Sequence, residues 1–238
     1  MARFTDKLAL VTGASRGLGR AVGKALAREG AHVILAARRE GSLEDVDDEI
    51  RAAGGSATLV KLDLTAADKI DALGPTIYER WGKLDILVAN AGMLGPLSPL
   101  PHISDDAWAN VMAVNLTANF RLIRTLDPLL RHADAGRAVF VSSGAAAARH
   151  AYWGPYAVSK AGLEALVKTY AREIANTNVR ANIINPGPVR TEMREQAFPG
   201  EDPMTLRPAE EVAELFLDAV DVTCTENGHV FNLDPRRK

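Results

Sequence analysis

Leu8-Ala9-Leu10-Val11 is an unbroken apolar run that ends in Thr12-Gly13-Ala14-Ser15-Arg16-Gly17-Leu18-Gly19. Beyond it, Val22, Leu26 and the alanines between them recur at helical spacing until Gly30. A short strand with no polar alternation is buried on both faces. It needs helices above and below it, which commits the chain to an α/β layout. The glycines let the backbone bend sharply and leave room for a phosphate. The helix that follows offers free N–H groups and the positive end of its dipole. Gly13, Ser15, Arg16, Gly17, Leu18 and Gly19 are therefore candidate dinucleotide contacts, although the spacing differs from G-x-G-x-x-G. Taken alone, the glycines also suit a tight turn that binds nothing.

The alternation continues to the end of the chain. His32–Ala37, Thr58–Leu62, Leu84–Ala89, Ala138–Val141, Val179–Ile184 and His229–Leu233 read as further strands. Between them lie helical patterns. Leu43, Val46 and Ile50 form one, and Ile70, Leu73, Ile77 and Trp81 another, with Trp81 in the core. Ser104–His132 reads as one long helix, capped by Ser104 and with Pro128 near its end. Further helices carry Tyr156 to Tyr170 and Val212 to Ala219. The run from Ala145 to His150 reads as loop. Residues 192–206 read as loop with room for a short helix, and Arg236-Arg237-Lys238 as a solvated tail. Such crossover lengths demand a parallel sheet. With no linker or charge block, residues 1–238 are expected to form a single Rossmann-type doubly wound domain.

In such a sheet, ligands bind beyond the carboxyl ends of the strands. The second strand ends at Arg38-Arg39, where an acid would grip a ribose 2′-hydroxyl and an arginine would accept a 2′-phosphate. A guanidinium holds phosphate through two parallel bonds. Arg38, with Arg16 from the glycine turn, therefore favours NADP(H), and NAD(H) stays open as the alternative. Asp63 and Leu64 follow the third strand. Asp63 suits an adenine amino group as well as it suits an ordinary cap. Asn90-Ala91-Gly92 follows the fourth strand, where an Asn before Gly is equally a turn former.

Tyr156 and Lys160 stand one helical turn apart on one face. A phenol ordinarily titrates at about 10, and a neighbouring positive charge favours its phenolate. The pair is a candidate general acid/base. Asn115 sits in mid-helix, where its propensity is poor. Read alone it faces solvent, whereas a buried amide there would hold a water or interrupt a backbone bond.

The 238 residues carry a net charge of −2 and one cysteine, Cys224. That balance gives no electrostatic case for nucleic acid or an anionic membrane. No intramolecular disulfide can form, and no apolar stretch would span a bilayer. The expectation is a cytoplasmic protein. No His/Cys/Asp cluster has metal-ligand spacing, so no metal is expected.

Together these pieces resemble the short-chain dehydrogenase/reductase family. The resemblance rests on Thr12-Gly13-x-x-x-Gly17-x-Gly19, Asn90-Ala91-Gly92, Asn115, Ser143, Tyr156, Lys160 and Pro186-Gly187, which fall in the family's order. Ser143, thirteen residues before Tyr156, has the family's usual spacing and is preferred to Ser142. The resemblance implies a seven-stranded parallel sheet with helices on both faces. It implies a tetrad in which Ser143 orients a carbonyl, Tyr156 donates the proton, Lys160 lowers the Tyr156 pKa and holds the nicotinamide ribose, and Asn115 anchors a water. Pro186, Gly187, Val189 and Thr191 would seat the nicotinamide, and residues 192–206 would cover a small carbonyl or alcohol substrate. Met93, Leu94, Trp153 and Phe198 are candidates for an apolar pocket, and Arg149 and His150 for polar contacts. A homotetramer or homodimer built on Ser104–His132 and the Tyr156 helix is implied. The family's Gly-Gly pair after the last strand is replaced by Asp234-Pro235. The alternatives are an NAD-linked alcohol dehydrogenase and a non-catalytic Rossmann protein that senses redox state or scaffolds partners.

Overall fold

A computed structural model describes residues 2–148 and 150–233. The expectations for Arg149, Asp234-Pro235 and the basic tail lie outside the described residues. Seven parallel strands form one sheet in the order β3-β2-β1-β4-β5-β6-β7. They are β1 (Leu8–Thr12), β2 (His32–Ala37), β3 (Ser56–Lys61), β4 (Ile86–Ala89), β5 (Arg137–Val141), β6 (Arg180–Asn185) and β7 (Val230–Asn232). The order reverses between β1 and β4; β1 pairs with β2 on one side and β4 on the other, so that Leu10 lies opposite both Ile34 and Leu87.

Alternate residues of each strand feed two cores. Ala9, Val11, Val33 and Leu35 face α1 (Gly17–Arg28), α2 (Gly41–Ala52) and α10 (Ala209–Val220). Leu10, Ile34, Leu87 and Phe140 face the opposite layer. That layer is α4 (Leu73–Trp81), α6 (Ala118–His132) and α8 (Gly154–Glu173), with α3 (Ala67–Asp71) and α5 (Asp105–Met112) at its margin. Two short helices, α7 (Ala145–Ala148) and α9 (Glu192–Ala197), lie at the carboxyl end of the sheet. Among the described residues, no helix is long and apolar enough to cross a membrane.

Three elements differ from the expectation. The stripe from Ile70 to Trp81 is two helices, broken at Ala72. Pro75 has no N–H for the Asp71 carbonyl, and the Thr125 hydroxyl donates to that carbonyl instead, at 3.1 Å. The Ala-rich run from Ala145 is helical, with Ala145 and Ala146 buried. Finally, the rod from Asp105 to His132 contains a π turn over Ala113–Thr117. Asn115 lies at the centre of that turn and is wholly buried, so the solvent-facing expectation is corrected. Trp81 is half-buried against the core, with the Arg80 guanidinium 4.5 Å over its ring.

Candidate active site

One cleft of about 580 Å³ runs along the carboxyl ends of the strands across the β1/β4 reversal. The glycine turn forms its floor. A Cβ on Gly13 would come within 2.9 Å of the Ala91 Cα, and one on Gly19 within 2.3 Å of the Gly13 carbonyl. These glycines are therefore required by the packing of the turn onto β4. Asn90 holds this arrangement. Its Nδ2 donates to the Thr12 carbonyl at 3.0 Å, and the Asn90 and Ala91 N–H groups both donate to the Thr12 hydroxyl at 3.1 Å. Asn90 thus ties the turn to the end of β4, a partnership the isolated Asn-Ala-Gly pattern does not announce.

The N-terminus of α1 has no side-chain cap and no acid in its first turn. Its first N–H groups therefore suit an anion. Arg38 and Arg39 are exposed at the end of β2 and line the cleft. Glu40, the nearest acid in sequence, lies 3.9 Å from Lys61. Arg16 pairs with Glu192 at the start of α9. Asp63 accepts from the Thr65 N–H and hydroxyl, at 2.9 and 2.8 Å, and these bonds hold its carboxyl below the ordinary range, with help from Arg38. The residues at this end of the cleft fit a dinucleotide phosphate.

At the other end, β5 delivers Ser143 and α8 delivers Tyr156 and Lys160, each lining the cleft. Ser142 also borders the cleft, but its hydroxyl is engaged, donating to Glu164 at 2.7 Å. Burial pushes the Tyr156 phenol up, and the Ser143 hydroxyl beside it pulls the value partly back. Burial lowers Lys160 from its ordinary 10.5 to about 8. Its ammonium donates to the Val141 carbonyl at 2.7 Å and lies 5.8 Å from the centre of the Tyr156 ring. The net shift on Tyr156 is therefore upward, opposite to the lowering expected from Lys160, because desolvation of the phenolate outweighs what its protein neighbours offer.

Asn115 does not line the cleft; it stands behind it. Its Oδ1 accepts from the Met93 N–H at 2.8 Å. Its Nδ2 donates to the Met93 carbonyl at 2.9 Å and to Ser159 at 3.0 Å. Both amide donors are taken, so a water at Asn115 would donate to one of its carbonyl oxygens. Ser159 in turn donates to the Tyr156 carbonyl at 2.8 Å. Asn115 and Ser159 thereby bind the loop after β4 to the helix carrying Tyr156. Gly92 lies between: a Cβ there would sit 3.4 Å from Asn115 Oδ1 and 3.5 Å from Lys160 Nζ. Ser159 was not expected from the sequence. Its place three residues after Tyr156, on the same helix face, was the available signal.

Gly13, Ser15, Arg16, Gly17, Leu18, Gly19, Arg38, Asp63, Leu64, Ala91, Gly92, Pro186, Gly187, Val189 and Thr191 all line this cleft. Such an arrangement can hold an extended anion at one end and set a phenol beside it at the other. Residues 7–202 match the family model described as short chain dehydrogenase. The chain is 37% identical over 239 residues to the Escherichia coli K12 protein named uncharacterized oxidoreductase YciK, covering 99% of this chain and 94% of that one. It is 34% identical over 190 residues to the 3-oxoacyl-(acyl-carrier-protein) reductase FabG of Salmonella typhimurium, covering 80% and 76%. A Shigella flexneri short chain dehydrogenase complexed with NADP superposes with a TM-score of 0.94 at 36% identity, over 98% of this chain and 99% of that one. One from Escherichia coli CFT073 complexed with NADPH gives 0.92 at 37% identity, over 98% and 99%. The fold, the order of the motifs and these likenesses agree, and the chain belongs to the short-chain dehydrogenase family.

Proposed function

We propose that the chain is an NADP(H)-dependent oxidoreductase that moves hydride between the nicotinamide and the carbon of a carbonyl or alcohol, with Tyr156 as general acid/base. One observation carries this: Ser143, Tyr156 and Lys160 open onto the same cleft as the uncapped N-terminus of α1. The nicotinamide supplies or accepts the hydride when bound. Residues 13–19 would hold the pyrophosphate, Arg38 and Arg16 the 2′-phosphate, Asp63 and Leu64 the adenine, and Asn90, Ala91 and Gly92 the neighbouring ribose region. Tyr156 and Lys160 would meet the nicotinamide ribose, and Pro186, Gly187, Val189 and Thr191 the carboxamide.

Ser143 orients the carbonyl oxygen by donating a hydrogen bond to it. Tyr156 gives that oxygen its proton as negative charge develops. A phenol pushed up by burial is protonated at neutral pH, which suits reduction. Oxidation of an alcohol needs the phenolate and so gains as pH rises. Lys160 has three N–H donors; with one on Val141, the others are available to a ribose and to the phenolate. Asn115 would anchor a water that links Lys160 to solvent, and together with Ser159 it positions the helix that carries Tyr156. Residues 192–206 would cover the substrate, and residues 1–238 would act as one domain. Self-association through α5, α6 and α8 is proposed from Trp108, Phe120 and Val158, which are exposed there; a monomer in light scattering would count against it.

NADP is favoured by Arg38 and by the NADP and NADPH complexes of the structural relatives. The NAD-linked alternative draws on the Arg16–Glu192 pair, which engages one of the two arginines. Equilibrium titration decides between them. NADPH should bind about tenfold or more tighter than NADH, and carbonyl compounds should drive its oxidation. Tighter NADH binding would move the assignment to NAD, and failure to bind either would overturn it.

A further inference from the structure

Beyond Tyr156 the cleft changes character. Leu94, Ala145 and Tyr156 form a buried apolar cluster, and Trp153 and Met193 pack against it. The Trp153 ring stands edge-on to Tyr156, with centroids 5.9 Å apart, and meets Phe198 at 5.6 Å. Phe198 lines the cleft and is 39% exposed, so part of its apolar surface is open at the mouth. The bend that aims Trp153 is built in. Tyr152 has φ 72°, a left-handed conformation uncommon outside glycine. Its carbonyl accepts from the Ser98 N–H at 3.0 Å, so the loop after β4 holds the bend.

The charged side chains of this wall are matched to one another. Arg194 lies 3.8 Å over the Phe198 ring and donates to Glu201 through Nε at 2.5 Å and Nη2 at 2.6 Å. Glu192 takes Arg16. His150 stands at the rim, 6.2 Å from Trp153 between ring centres. An anionic substrate here would lose water and meet an arginine already engaged by a carboxylate, which is a costly exchange. A flat apolar body would gain contact with aromatic faces in tilted geometries.

Resting on the oxidoreductase assignment above, we infer that the substrate is an uncharged ketone, aldehyde or alcohol. The group next to its reacting carbon is flat and apolar, aromatic or alicyclic, and lies against Trp153 and Phe198; the substrate bears no carboxylate or phosphate there.

The test compares binding of 2-acetylnaphthalene and of its 6-carboxylate by isothermal calorimetry, with and without NADP, and separately follows their NADPH-dependent reduction. The neutral ketone should bind at least tenfold tighter. Trp153→Ala and Phe198→Ala should each weaken it about fivefold with little effect on the carboxylate. Glu201→Gln, which releases Arg194, should narrow the gap by strengthening the carboxylate. Equal or tighter binding of the carboxylate, or indifference of the ketone to both aromatic substitutions, overturns the inference. The two claims fail separately. Selective ketone binding with no turnover of any carbonyl would sink the oxidoreductase assignment and leave the apolar wall standing. Turnover confined to charged carbonyls would sink the wall and leave the assignment.

Discussion

The two ends of the same sheet treat buried charge in opposite ways. At the amino ends, Asp85 is 1% exposed and fully engaged. It accepts from the Leu8 N–H at 2.9 Å and from Lys7 and Lys83 at 3.3 and 3.1 Å. Arg137, at the start of β5, donates to the carbonyls of Gly136, Asn178, Asp221 and Val222. At the carboxyl ends, Lys160 is equally buried, yet among the described residues its ammonium meets one acceptor, the carbonyl of Val141 at the end of that same β5. Saturated polar groups hold a fold together. Under the proposed function, the N–H groups of Lys160 not given to Val141 would meet the nicotinamide ribose and the phenolate.

If that contrast is right, substitutions at the two ends should separate chemistry from stability. Tyr156→Phe should lower turnover about 10²–10⁴-fold while leaving the melting temperature and NADPH affinity near their original values; full activity would remove the proposed proton donor. Asp85→Ala should do the reverse. It strands the Leu8 N–H and should lower unfolding free energy by about 2 kcal/mol, with NADPH affinity unchanged in titration. A parallel loss of affinity would show that the two ends are coupled.

Lys160→Met sharpens the contrast through pH. The folded value of about 8 lies below the ordinary 10.5. Between those pH values the unfolded chain binds more protons than the folded one, so stability rises with pH across the window and is lowest below it. Denaturation curves of Lys160→Met should lose that rise; an unchanged slope would place its origin elsewhere. The smallest effect belongs to Glu192→Gln. Because its pair with Arg16 is exposed, release of Arg16 should tighten NADPH by less than about fivefold and leave NADH unchanged.

The parts legible in the sequence were those enforced locally. Apolar runs revealed the strands, and glycines at residues 13, 17 and 19 marked a turn that cannot accept side chains at its close contacts. Tyr156 and Lys160 were visible because helical spacing alone places them together. What stayed hidden depends on partners remote in sequence. The break at Ala72 requires Thr125 to replace a lost backbone bond, and the burial of Asn115 requires Met93 and Ser159. The tie between Arg16 and Glu192 spans 176 positions. No pattern of neighbours announces such pairings, and the desolvation that raises Tyr156 emerges only once the surrounding layers are packed.

Transfer of isotope tests the central claim most directly. NADPH carrying deuterium at the transferable position of its nicotinamide should be oxidised with a panel of neutral and charged ketones and aldehydes, and the alcohols read by mass spectrometry. One deuterium on the carbinol carbon of the product is the predicted result. Alcohol formed without the label, or no alcohol from any member of the panel while NADPH binds, would contradict it.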